Sequence, residues 1–252
     1  MSTVFSVIID DFHQALLPLK DIVQDGQAKK SSMLARVASV NAATLLLAAT
    51  FEEFIRQMAR QFAIEVVASA GKIDDVPYAL LETAWRRTLH VLTQSNKSDG
   101  VSKKEALRFA AKRARPTIDA LCSFIEGDIG QDIFENLIHN ENNMGSEEIN
   151  QLFKVGGVSN ICIETCKSGA LKAFFEADDD VATHTALLSA LKGFFKRRNQ
   201  IAHSLNSKNS SSPNEILRDI CIFVAFSSDL GRTLEMKIAE RRAVRPEWSG
   251  AE

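Results

Sequence analysis

The residues with the clearest chemical potential are Arg198, Asn199 and His203, in the run Arg198-Asn199-Gln200-Ile201-Ala202-His203. Arginine carries a permanent charge on a planar fork of donors that matches a phosphate. Histidine titrates near neutral pH and can take or give a proton. Together they suit metal-independent RNA cleavage. RNA brings its own nucleophile, the 2′-hydroxyl. It needs a base beside that group, charge stabilisation for the phosphorane and an acid for the leaving 5′-oxygen. His203 would move protons and Arg198 would stabilise charge. At about 100° per residue Asn199 and His203 share a helix face, so the Asn199 amide could orient the imidazole. Arg198 lies about 140° from His203. The two converge on one phosphate only if the helix end bends, or if two copies meet across a two-fold axis. The plainer alternative is that Arg198 and His203 merely complement the macrodipole at a helix C-terminus.

The elements that must position these residues read as helices. Met33 to Ala70 repeats apolar residues at threes and fours, with Gly71 as the stop. Tyr78 to Thr93 carries Leu81, Trp85 and Leu89 on one side, which predicts Trp85 in the core. Ser102-Lys103-Lys104-Glu105 reads as a capping box, and the helix it opens should kink or restart at Pro116. Short helices are expected at 146–154 and 160–176, with Gly156-Gly157 as a plain turn. Asp178-Asp179-Asp180 opens the helix that ends at His203. Ser212-Pro213-Asn214-Glu215 opens the last helix, to about Val244. Polar loops fall at 94–100, 140–146 and 204–212. Strand signals are nearly absent, so the fold class is all-α. The 252 residues read as a single domain, with residues 1–30 a peripheral helix, 75–175 a helical insertion and 243–252 a flexible tail.

A net charge of −2 argues against a general electrostatic binder of nucleic acid and confines any such contact to local patches. Lys104, Arg108, Lys112 and Arg115 form one basic stripe, which either tracks an RNA backbone or is a solvated face. Arg197 is a further RNA-contact candidate. Cys162 and Cys166 read as small buried residues, and no zinc, P-loop or nucleophile-elbow pattern occurs, so no metal or cofactor is expected. His13, His90, His139 and His184 read as solvated or capping, and Trp248 as part of the tail. With no secretory leader and a longest apolar run of about half a membrane span, a cytoplasmic protein is expected.

A long helix ending Arg-Asn-x-x-Ala-His, a polar loop and a Pro-led helix together resemble the HEPN superfamily, and within it the RiboL-PSP-type proteins. The stretch Leu45-Leu46-Leu47-Ala48-Ala49-Thr50-Phe51-Glu52-Glu53-Phe54-Ile55 is similar to that group's acidic first helix. The resemblance covers roughly residues 35–70 and 180–242. It implies an antiparallel α-helical bundle, a homodimer and metal-independent endoribonuclease activity. Arg198 and His203 would be the catalytic pair, with Asn199 assisting and Glu52 or Glu53 supporting. It also implies a toxin-like or anti-phage defence role, with an antitoxin or defence-system partner. Leu205 stands where HepT-type toxins carry a modifiable Tyr, so that form of control is not expected. The alternative function is a non-catalytic HEPN scaffold that binds RNA or a partner protein.

Overall fold

The structure, a computed structural model, describes residues 3–27, 32–94, 102–138, 144–203 and 211–244. Most of the polar loops predicted from the sequence, His139, Leu205 and the tail with Trp248 lie outside these residues. The helices are α1 (Val4–Gly26), α2 (Met33–Ser69), α3 (Tyr78–Gln94), α4 (Lys103–Ile125), α5 (Phe134–Leu137), α6 (Ser146–Lys154), α7 (Ile161–Thr165), α8 (Gly169–Phe175), α9 (Asp180–His203) and α10 (Pro213–Val244). A 3₁₀ turn at Ile73–Asp75 joins α2 to α3, and no strand occurs among the described residues.

The chain's local signals set the ends of the long helices. Ser32 caps α2 by accepting from the Ala35 amide at 3.2 Å. Asp179 caps α9, accepting from the Ala182 amide at 2.7 Å. At α10 the capping box is complete, because the Ser212 amide donates to Glu215 (2.7 Å) and the Glu215 amide donates to Ser212 Oγ (3.2 Å). At α4 the box is half formed. Ser102 Oγ accepts from the Glu105 amide, but the Glu105 carboxylate takes the Ser102 hydroxyl and not its amide.

The core centres on α2. Phe51 stacks on Phe223 of α10 at 4.1 Å, and Phe194 of α9 meets Phe223 edge-on at 4.9 Å. Such pairs add about 0.5–1.5 kcal/mol beyond their area burial. α2 is the described helix long and apolar enough to cross a membrane by length and composition. In the bundle it lies against α1, α9 and α10.

Three expectations are corrected. The helix expected at the periphery, α1, is part of the core: Phe5, Phe12, Leu16, Leu19 and Val23 are buried, and Phe12 stacks on Phe54 at 4.3 Å. Its apolar residues recur at threes and fours, so the face could not stay wet. Pro116 does not break its helix, because α4 runs unbroken from Lys103 to Ile125. Trp85 is 41% exposed, since α3 turns its other side, Leu80 and Ala84, to the core. The Gly156-Gly157 turn has a packing role. A Cβ on Gly156 would collide with the Phe62 ring and one on Gly157 with Arg241, and Gly157 sits at φ +94°. Arg241 donates to the Gly156 carbonyl at 2.7 Å, which ties the turn to α10.

Candidate functional site

Phe194 and Phe195 anchor the end of α9 against α2 and α10, and the next helical turn presents Arg197 and Arg198. Their two guanidinium groups go different ways. Arg198 faces α2, where its Nη2 lies 3.9 Å from Glu52 Oε1. Glu52 is nearly buried, and that oxygen has no hydrogen-bond partner. At 3.9 Å the pairing is one of charge and not of hydrogen bonding. Arg56 completes an acid–base cluster, at 3.6 Å from Glu52 and 3.5 Å from the exposed Glu53. The structure therefore brings Arg198, Glu52 and, through Arg56, Glu53 to one place.

Asn199 is turned differently from the sequence expectation. Its Oδ1 accepts from Arg198 Nη1 at 3.1 Å. Among the described residues, no hydrogen bond joins Asn199 to the His203 ring. Asn199 thus steadies the arginine. His203 is exposed in the last turn of α9. That helix stays regular through His203, so nothing bends Arg198 and His203 toward a common point within one chain.

Arg197, expected to contact RNA, bonds Asp219 of α10 instead. Asp219 is buried, and burial raises its carboxyl to about 6 against the pull of Arg197. This pair ties the end of α9 to the first turns of α10. Asp219 is the site-supporting residue that sequence reading missed. It lies 22 positions from its partner, across a loop, and no local pattern marks it.

The expected stripe of Lys104, Arg108, Lys112 and Arg115 lies on solvent-facing α4. It belongs to the α3–α4 arm, on different helices from the Arg198 cluster. Arg115 pairs with Asp119 at 3.4 Å. A cavity of about 740 Å³ is also elsewhere. It sits at the far end of α10, a helix about 48 Å long. Its cations are satisfied: Lys237 by Glu164 (3.3 Å) and Glu240 (3.1 Å), Arg241 by the Gly156 carbonyl. Arg198, Asn199 and the nearly buried Glu52 meet at the α9 end, with His203 exposed on its last turn, which makes that end the stronger candidate.

Cys162 and Cys166 are buried, and burial pushes both thiols up to about 12, so neither is a thiolate at neutral pH. His13 hydrogen-bonds Ser227 at 2.8 Å, and burial lowers its pKa. Among the described residues no group of three or more His, Cys, Asp or Glu is arranged to hold a metal ion.

Residues 11–236 match the family described as RiboL-PSP-HEPN, and the chain belongs to that family. No curated protein and no solved structure matches the chain. Family membership gives an all-α fold and points to an RNA-related, ribonuclease-like role.

Proposed function

We propose that this RiboL-PSP-HEPN protein is a metal-independent endoribonuclease whose active site is built from the α9 ends of two copies. The observation that carries this reading is the divergence of Arg198 and His203 on a regular helix, with Arg198 already oriented by Glu52 and Asn199. One α9 end offers an oriented cation and a separate exposed imidazole. Two ends related by a two-fold axis offer two of each around one phosphate.

In that cleft one imidazole takes the proton of the 2′-hydroxyl as its oxygen attacks phosphorus. The P–O5′ bond breaks, and the second His203, protonated, gives its proton to the departing 5′-oxygen. Arg198 holds the charge of the phosphorane. The products are a 2′,3′-cyclic phosphate and a 5′-hydroxyl, and no external oxidant or metal enters the balance. Glu52 holds the Arg198 guanidinium in place before RNA arrives.

The surface of α2 supports the pairing of two copies. Leu34, Ala38, Ala42, Leu45 and Ala49 occupy an arc of about 80° and are exposed, and Glu53 follows on the same side. A second copy laid along this apolar face would bring the two Arg198 clusters together. The protein is then a homodimer at micromolar concentration, and a toxin-like or defence effector is the biological role this activity suits.

The test is incubation of the purified protein with a defined RNA in EDTA. Cleavage with 2′,3′-cyclic phosphate ends is expected, and substitution of 2′-deoxy at the cut site should abolish it. Cleavage of the 2′-deoxy strand, or a strict need for Mg²⁺, would overturn the mechanism.

A further inference from the structure

The α4 helix has a feature that the ribonuclease reading does not use. Leu107, Ala111, Ala114, Ile118, Leu121 and Ile125 recur at alternating steps of four and three, the a/d spacing of a coiled coil. In a buried helix this seam would face the core. Here Leu107 is 62% exposed, Ile118 and Ile125 are more than a third exposed, and Ala111 is exposed. Of the six, only Leu121 is buried. The main packing partner of α4 is α3, and the first turns of α4 turn Ala110 inward. Among the described residues the seam is therefore a nearly complete helix-pairing surface that no second helix covers.

The edges of the seam say what that helix must be like. Arg108 and Arg115 each follow a d-type residue, Leu107 and Ala114, which places them at e positions beside the seam. Lys104, Lys112 and Arg113 add to the same helix. Across Lys103–Ile125 six cations stand against two acids, Glu105 and Asp119, in a chain whose net charge is −2. A second copy of α4 would set Arg108 and Arg115 against themselves in an antiparallel pair and align two strongly basic helices in any pair. Like charges so placed are destabilising. Pro116 lies on the opposite side of the helix from the seam, about 180° from its centre, so its missing amide does not disturb the pairing face.

We propose that α4 is the docking helix for an acidic amphipathic helix of another protein, which lays leucine-type residues on the Leu107–Ile125 seam and carboxylates against Arg108 and Arg115. This is helix-on-helix recognition in which the apolar seam supplies affinity and the charged edge selects the partner. It stands independently of the ribonuclease reading, because it uses none of Arg198, Asn199 or His203.

The test uses the full-length protein and a designed four-heptad peptide with Leu at a and d and Glu at e and g, followed by fluorescence anisotropy. Wild type should bind this peptide and not its Lys-edged counterpart. Leu107→Glu with Ile118→Glu should weaken binding at least tenfold, and Arg108→Glu with Arg115→Glu should do the same. All four positions are solvent-facing, and unchanged helical circular dichroism checks the fold. A non-cleavable 2′-O-methyl RNA is titrated in parallel and should bind the seam variant and wild type alike. The proposal is overturned if wild type does not bind the acidic peptide, or if the seam variant binds it equally well. RNA affinity lost on charge reversal, without peptide binding, makes α4 an RNA surface. Loss of self-association in the seam variant makes α4 an interface between copies. Either result overturns the acidic-helix partner.

Discussion

Two Arg-rich helical segments of this protein have opposite fates. At the end of α9, Arg197 and Arg198 each meet a carboxylate that is nearly or fully buried, Asp219 and Glu52, supplied by α10 and α2. On α4, Arg108, Lys112 and Arg113 face solvent, and Arg115 meets an Asp119 that is exposed as well. The difference is what packs opposite. α9 is held by Phe194 and Phe195 in a three-helix core, whereas α4 rests mainly on α3. A cation fixed against a buried acid is preorganised for chemistry. A cation on an exposed helix beside an open apolar seam is arranged for docking.

The largest expected effect that separates the two regions is on stability. Phe51→Ala removes a fully buried ring stacked on Phe223 and should cost about 3–5 kcal/mol in urea unfolding. A cost below about 1 kcal/mol would mean that the α2–α10 interface is not the core. Next comes Asp229, buried on α10, which accepts from the Ala170 and Leu171 amides at the start of α8 (3.2 and 2.8 Å). Asp229→Ala strands two backbone donors and should cost about 2–3 kcal/mol. The Asp229→Asn variant, which keeps one acceptor, should recover part of that.

A smaller effect should appear as a pH dependence. Asp219 has a folded-state pKa raised to about 6. The folded protein therefore holds this proton more tightly than the unfolded chain does. The resulting stability is fully present below the unfolded Asp value and is lost as pH rises through about 6. Between pH 7 and pH 4 wild type should gain about 2 kcal/mol relative to Asp219→Asn, by urea unfolding at each pH. A difference that stays flat over that range would show that Arg197 outweighs burial. The smallest effect belongs to the arm. Phe109 is 60% exposed, so Phe109→Ala should move stability by less than about 0.5 kcal/mol. A loss near that of Phe51→Ala would erase the contrast between arm and core.

The sequence is most readable where one local rule acts alone. The bounds of α2 follow from its periodicity and those of α10 from Ser212 and Glu215. Arg198 and His203 stand out because both have side chains suited to phosphate chemistry and close one helix. What escaped reading depends on partners far along the chain. α1 looked peripheral because nothing in residues 1–30 announces Phe54 as the ring that Phe12 will meet. Trp85 looked buried because helical spacing marks a stripe but not which stripe turns inward. Arg197 and Arg198 are neighbours in sequence, and only the packing of α10 and α2 decides that one takes Asp219 and the other Glu52. Gly156-Gly157 reads as any turn until Phe62 and Arg241 are beside it.

The α9 end is proposed to perform the chemistry and the α4 arm to take no part in it. The most direct measurement is the single-turnover rate of RNA cleavage in EDTA for wild type, His203→Ala and the Leu107→Glu, Ile118→Glu variant, all at saturating protein. Loss of the proton-transfer group should slow cleavage by about 10²- to 10⁴-fold. The α4 variant should cleave at the wild-type rate. Wild-type cleavage by His203→Ala, or its loss in the α4 variant with the fold intact, would contradict the claim.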